Sequence, residues 1–365
     1  MSHLPIKMSA VLLTGHGGFE KLQYRNDVDV PSVGADKVLI KVLAAGVNNT
    51  DINTRTAWYS KSVTGETNIG GADGFDSAED DDGSWSGEPL DFPRIQGADC
   101  CGEIVAVGHG VAEERIGERV LVRTMQQVPV NPKPFSCWTV GSECDGGFAQ
   151  YMIAYSAETF KIDCDWSDIE LASIPCAYST AENMLERANV GEGEIVLITG
   201  ASGGVGSAAV QLAKRRGAKV IAQSGRAKLN EVKALGADEV VDRNANLAET
   251  LGSEVVDVVV DLVAGESWPC LLEVLKRGGR YATAGAIAGP IVELDVRTLY
   301  LKDLTLIGCT FQQKNVFENL VGYIEGNESK PMVAKHYLLK DFVRAQEDFL
   351  SKKHVGKLVL VPPQN

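Results

Sequence analysis

The chain has 365 residues, enough for two domains with a large core. Its 44% hydrophobic and 23% charged residues are those of an ordinary globular protein. Forty-nine acidic against 35 basic residues leave a net charge of −14, which argues against nucleic acid and anionic membrane as partners. No apolar run approaches the roughly 20 residues needed to cross a bilayer. The opening MSHLPIKMSAVLL has no leader-like pattern, and eight scattered cysteines without a disulfide-like framework fit a reducing cytoplasm.

Residues 8–58 read as short strands of an antiparallel β domain, with alternation in Val38-Leu39-Ile40-Lys41-Val42 and turn chemistry around Pro31–Gly34. Residues 60–91 carry nine acids against one base, Lys61, and little apolar periodicity; they read as a long surface loop, a lid or a disordered insert. Trp85 and Phe75 imply that part of it folds back. Strand patterning resumes at 102–108 and 118–122, followed by the Pro-rich VPVNPKPF and then GGFAQYMIAYSAETFKI.

From about residue 168 helices and strands alternate. Helix candidates are 168–175, 178–189, 204–216, 227–235, 246–251 and 266–277; strand candidates are 194–199, 218–223, 239–241, 255–262 and 279–284. This alternation marks a doubly wound parallel sheet. At its start, Ile195-Val196-Leu197-Ile198 form a buried strand, Thr199–Gly206 carries four glycines, and Val205, Ala208, Ala209, Leu212 and Ala213 recur at helical spacing. The turn Gly200, Ser202, Gly203, Gly204, Val205, Gly206 suits a pyrophosphate at a helix N-terminus, although G-x-x-G-G-x-G differs from the common G-x-G-x-x-G. A glycine-rich turn without ligand is the rival reading. The tail from 312 returns to mixed patterning and ends in the strand-like KLVLV.

Six segments, AAGVNNTDI (44–52), FPRIQGADCCGEIVAVG (92–108), GERVLV (117–122), GGFAQYMI (146–153), TGASGGVG (199–206) and HVGKLVL (354–360), together resemble the medium-chain dehydrogenase/reductase superfamily. The nearest match is its zinc-free quinone oxidoreductase and enone reductase branch. The resemblance spans the chain apart from the 60–91 insert. It implies an α/β protein: a GroES-like β-rich catalytic domain at 1–163, a Rossmann domain at 164–311, and a return to the catalytic domain at 312–365.

In the zinc alcohol dehydrogenases of that superfamily a Cys, the His of G-H-E and a later Cys or Asp hold the metal. Here those positions resemble Asn48, Ala98 of Gly97-Ala98-Asp99, and Cys176. One thiolate with an amide is a poor zinc set, and the four-cysteine lobe is absent, so no metal is expected. The strand after the glycine turn ends Gln223-Ser224-Gly225-Arg226, with Lys228 beyond. No acid ends that strand to hold a ribose 2′-hydroxyl or repel a 2′-phosphate, and Ser224, Arg226 and Lys228 could bind one; NADP(H) is expected over NAD(H). The alternative for the two cations is a solvated helix start.

Val263 and Gly285 fall at the carboxyl ends of parallel strands, where the nicotinamide side lies. Thr180, in YSTAENML, resembles the family's segment at the nicotinamide ribose; a helix N-cap is its rival role. By the same resemblance Asn48 and Tyr59 are the catalytic candidates. Asn48 could donate its amide to a carbonyl, and Tyr59 could orient the carbonyl or protonate it, as water also could.

The expected function is NADPH-dependent hydride transfer to an α,β-unsaturated carbonyl or quinone. The acidic insert disfavours anionic acyl carriers. A zinc-dependent alcohol dehydrogenase and a non-catalytic NADPH-binding structural or redox-sensing protein are the alternatives. The apolar 301–311 segment, LKDLTLIGCTF, suggests a homodimer formed along a strand edge.

Overall fold

A computed structural model describes residues 4–79, 81–130 and 133–364. Asp80 of the acidic insert and Asn131 and Pro132 of the Pro-rich segment lie outside the described residues.

Six parallel strands form the nucleotide-binding sheet: β1 (Ile195–Ile198), β2 (Lys219–Ser224), β3 (Glu239–Asp242), β4 (Val256–Asp261), β5 (Leu275–Thr283) and β6 (Thr305–Gly308), in the spatial order 3-2-1-4-5-6. That is the Rossmann order, in which the sheet reverses direction beside β1. Period-two alternation sends successive side chains to opposite faces. Val196 and Ile198 join one core with Ala208, Leu212 and Met184, while Leu197 joins another with Ile221, Val259 and Trp268. Both faces are apolar because helices cover both.

The second large sheet is mostly antiparallel. The strand Lys37–Val47 is paired with Cys101–Val107, Tyr151–Tyr155 and the C-terminal strand Lys357–Val361. Cys100 and Cys101 are both fully buried yet enter different cores, one on each side. Strands from before and after the α/β sheet in the chain thus share one β layer.

Three expectations change. The helix expected at 266–277 ends at Val274, because Leu275 already pairs with Val256 and opens β5; Gly278, at φ +74°, lies within that strand. The helix expected from 178 begins three residues earlier, at Pro175, a residue suited to the first helical turn. Thr180 consequently lies inside that helix, so its rival role as N-cap is excluded. Among the described residues no helix is long and apolar enough to cross a membrane.

Candidate active site

The site is assembled by register. Leu358 opposes Val47 and Val359 opposes Gly46, so Lys357 arrives beside Asn48. The Lys357 ammonium donates to Asn48 Oδ1 and, at 2.8 Å, to Asp99 Oδ2. Asn48 Nδ2 donates to the same Asp99 oxygen at 2.8 Å and to the Gly46 carbonyl at 3.3 Å. The other Asp99 oxygen accepts the Cys176 backbone N–H at 2.6 Å, at the start of the helix Pro175–Arg187, where the helix dipole favours a carboxylate.

A second buried carboxylate, Asp51, accepts from the backbone N–H groups of Asn48 (2.7 Å) and Ala98 (3.2 Å). Burial outweighs these bonds and pushes its pKa up to about 7. Asp51 closes the first turn of the short helix Asn49–Arg55 and ties it to the Gly97–Asp99 segment. Asn48 therefore has both amide protons directed at protein acceptors, and its oxygen is engaged by Lys357.

These residues do not suit zinc. Ala98 offers no ligand, Asn48 is committed to Asp99 and Lys357, and an ammonium already neutralises the carboxylate. The Cys176 thiol is pushed up by burial and by Asp99, which opposes the thiolate a metal would need. Among the described residues no group of three or more His, Cys, Asp and Glu is placed to hold a metal.

Tyr59 sits nearby on the chain leaving this helix. Its hydroxyl donates to Thr50 Oγ1 at 3.1 Å, and burial raises its pKa, keeping the phenol protonated. Its ring meets Trp58 and Trp85 edge to face.

The glycine turn faces this cluster. Gly200 takes a left-handed φ of +58°, and a Cβ on Gly206 would stand 2.3 Å from the Gly200 carbonyl oxygen, so the turn admits only glycine there without rearrangement. The helix Gly204–Arg215 that follows has no side-chain N-cap, leaving its first N–H groups for an anion. The Gly356 N–H donates to the Ser202 carbonyl at 3.0 Å, and the Lys357 stem lies against Gly204. The catalytic strand thus touches the phosphate turn.

Val263 packs against Gly200, and Gly285 approaches the Leu262 carbonyl. Both follow from Asp261, buried at the end of β4, which accepts from Thr199, Tyr281, Val263 and Ala264 and fixes three strand ends together. Thr180 is half-buried on the helix that starts beside Asp99.

Ser224 is buried at the end of β2. Arg226 is 87% exposed and paired with Asp242 of the neighbouring strand at 2.9 Å. Lys228 Nζ instead donates to the Lys352 carbonyl at 2.9 Å, and Lys352 reaches Asn49 Oδ1 at 3.5 Å. Neither lysine has a carboxylate partner among the described residues. Burial and the Lys228 charge push Lys352 down to about 8, and burial with both lysines pushes His354 to about 4. Lys228 and Lys352 thus bring two ammonium groups into one neighbourhood, close to Asn49.

Sequence reasoning missed Lys352 and Lys357. An available signal for the second was Asp99 itself, a carboxylate within an apolar strand approach that required a buried cation.

Residues 34–163 match the family model for the alcohol dehydrogenase GroES-like domain, and 204–325 that for zinc-binding dehydrogenase. The chain is 30% identical to the quinone oxidoreductase of Sus scrofa, over 97% of this chain and 98% of that one. It is 46% identical to a structure titled as a putative alcohol dehydrogenase from Sinorhizobium meliloti 1021 (TM-score 0.88, covering 99% and 98% of the two chains). A thermostable alcohol dehydrogenase from Pyrobaculum aerophilum, described as cobalt- and zinc-bound, is 30% identical (TM-score 0.80, covering 98% and 100%).

Proposed function

The chain belongs to the medium-chain dehydrogenase/reductase superfamily, in its quinone oxidoreductase-like branch, and from that premise we propose that it is an NADPH-dependent, metal-free reductase of quinones or α,β-unsaturated carbonyls. The observation that supports this reading is the Lys357–Asp99–Asn48 cluster, in which Asn48, at a position resembling a metal ligand of the zinc alcohol dehydrogenases, is bonded to a buried ion pair instead.

Bound NADPH supplies the hydride, and the protein holds, polarises and protonates. The glycine turn and the uncapped Gly204–Arg215 helix receive the pyrophosphate. Lys228 and Lys352, with Ser224 and Arg226 at the rim, face the 2′-phosphate, while Val263, Gly285 and Thr180 border the nicotinamide. Lys357 acts as a positioning residue: it holds Asn48 and Asp99 while its stem supports Gly204. Tyr59, kept neutral by burial, would turn its hydroxyl from Thr50 to the acceptor carbonyl. As hydride reaches the acceptor carbon, the electron pair of its double bond moves onto the carbonyl oxygen, where a hydrogen-bond donor stabilises the charge. A proton from Tyr59 or water completes the reduction.

We further read 1–163 with 312–365 as the catalytic domain and 164–311 as the cofactor domain, with residence in the cytoplasm. β6 is an edge strand pairing only β5, and Leu306 and nearby Val296, Tyr300 and Leu301 are exposed apolar residues. This supports a homodimer that extends the sheet edge to edge.

The test is NADPH oxidation over a panel of quinones and enones, repeated with NADH. Turnover with a preference for NADPH supports the reading. Tight binding without turnover favours a redox-sensing role.

A further inference from the structure

Residues 60–79 and 81–91 form a wall tied to other parts of the chain and packed beside Tyr59, not the loose surface loop their composition suggests. Four ties from separate parts of the chain hold them. The Thr67 N–H donates to the Ile287 carbonyl at 3.1 Å, joining the insert to the loop after β5. Arg55, fully buried, donates to the Gly71 carbonyl at 2.5 Å. The Phe19 N–H donates to the Ala72 carbonyl at 3.2 Å, and the Ser86 N–H to Glu143 Oε1 at 2.8 Å. Glu66, Asp73, Asp76, Glu79, Asp81, Glu88 and Asp91 are exposed, whereas Asp82 is half-buried and accepts from the Lys61 N–H at 2.8 Å.

What the wall carries inward is an indole. Trp85 lies 5.1 Å from Tyr59, ring centroid to ring centroid, at 61°. Trp58 flanks Tyr59 on another side at 5.9 Å and 72°, its N–H held by the Gly65 carbonyl at 3.0 Å. Two indoles therefore converge on Tyr59, whose hydroxyl bonds to Thr50 in the helix Asn49–Arg55.

We propose that Trp85, supplied by the insert, is a specificity-determining residue that makes the site select flat, conjugated, uncharged ring acceptors over open-chain enals. The inference rests on the reductase reading above. An electron-rich indole stacks on an electron-poor quinone ring, whereas a short enal presents little π surface. The acidic outer face adds repulsion against anionic carriers.

The experiment compares wild type, Trp85→Ala and Trp85→Phe with tetramethyl-1,4-benzoquinone, which has no open ring position for thiol addition, and trans-2-hexenal. Trp85→Ala is expected to lower kcat/KM for the quinone about tenfold or more and for hexenal less than about threefold. The NADPH Kd stays within about twofold, and Trp85→Phe restores most of the quinone activity. Equal losses on both acceptors, or none, overturn the proposal. If wild type binds NADPH but reduces neither acceptor, the reductase reading fails on its own. Calorimetric titration of the quinone into NADP⁺-loaded protein then decides: affinity about tenfold weaker in Trp85→Ala supports the aromatic wall, and unchanged affinity overturns it. Trp85→Phe, which keeps a ring against Tyr59, answers the same question should the alanine variant fail to fold.

Discussion

Lys357 and Asp99 lie 2.8 Å apart with side chains only 3% and 0% exposed, one on the last strand and one beside the strand opening at Cys101. Removing one member of such a pair leaves the other charge buried and uncompensated. Lys357→Met is expected to cost about 3–5 kcal/mol of unfolding free energy. Adding Asp99→Asn should return part of that loss, because the two sites are coupled. Urea titration of the two single variants and the double variant measures the cycle; strictly additive losses would show that the pair does not interact.

Asp51 sets a pH dependence. Its folded pKa, about 7, lies above the ordinary 3.8. Its contribution is therefore fully present below about pH 4 and is lost as pH rises through 7, on the order of 4 kcal/mol in all. Lys352 and His354 work the other way. Their lowered pKa values, about 8 and about 4, give contributions lost as pH falls through those values. The Asp51 share is isolated by comparison with Asp51→Asn: between pH 4 and 7 wild type should lose stability relative to the variant. Parallel curves would refute the shift.

The paired lysines Lys228 and Lys352 are expected to read the cofactor's 2′-phosphate. Lys352→Ala is expected to weaken NADPH binding by about tenfold or more, the scale of a charge-assisted hydrogen bond, with little change for NADH. Equal weakening of both cofactors would assign the lysine to the pyrophosphate instead. Wild-type affinity for NADPH should also fall as pH rises beyond the Lys352 pKa.

Much of the fold was legible. The run from Ile195 to Ala213 encodes a buried strand, a glycine turn and a helix through apolar periodicity and the positions only glycine can fill, and the structure has all three. The insert was harder to read. Its acids dominate the composition, yet Trp85, Gly71 and Thr67 decide its path, through contacts with residues far away in the chain. Lys357 was hidden for a related reason: its meaning depends on the antiparallel register that brings residue 358 opposite 47. The pairing of Arg226 with Asp242 was hidden in the same way, because Asp242 lies on a different strand and is invisible from the β2 sequence.

Tyr59 distinguishes orientation from proton donation. If it orients the carbonyl, Tyr59→Phe should lower kcat/KM by about tenfold, the worth of one neutral hydrogen bond. A loss of several hundredfold or more in kcat would instead make it the general acid.

The edge strand β6 offers a separate check. If the proposed homodimer forms there, Leu306→Lys, which places a charge on its exposed apolar face, shifts the sedimenting species from dimer to monomer. An unchanged mass would relocate the interface.

The central claim, reduction without metal, is tested most directly by following NADPH oxidation with a quinone before and after exhaustive dialysis against a chelator, with metal content measured on the same samples. The account expects substoichiometric zinc and an unchanged rate. Stoichiometric zinc, with activity lost on dialysis and restored by adding the metal, would contradict it.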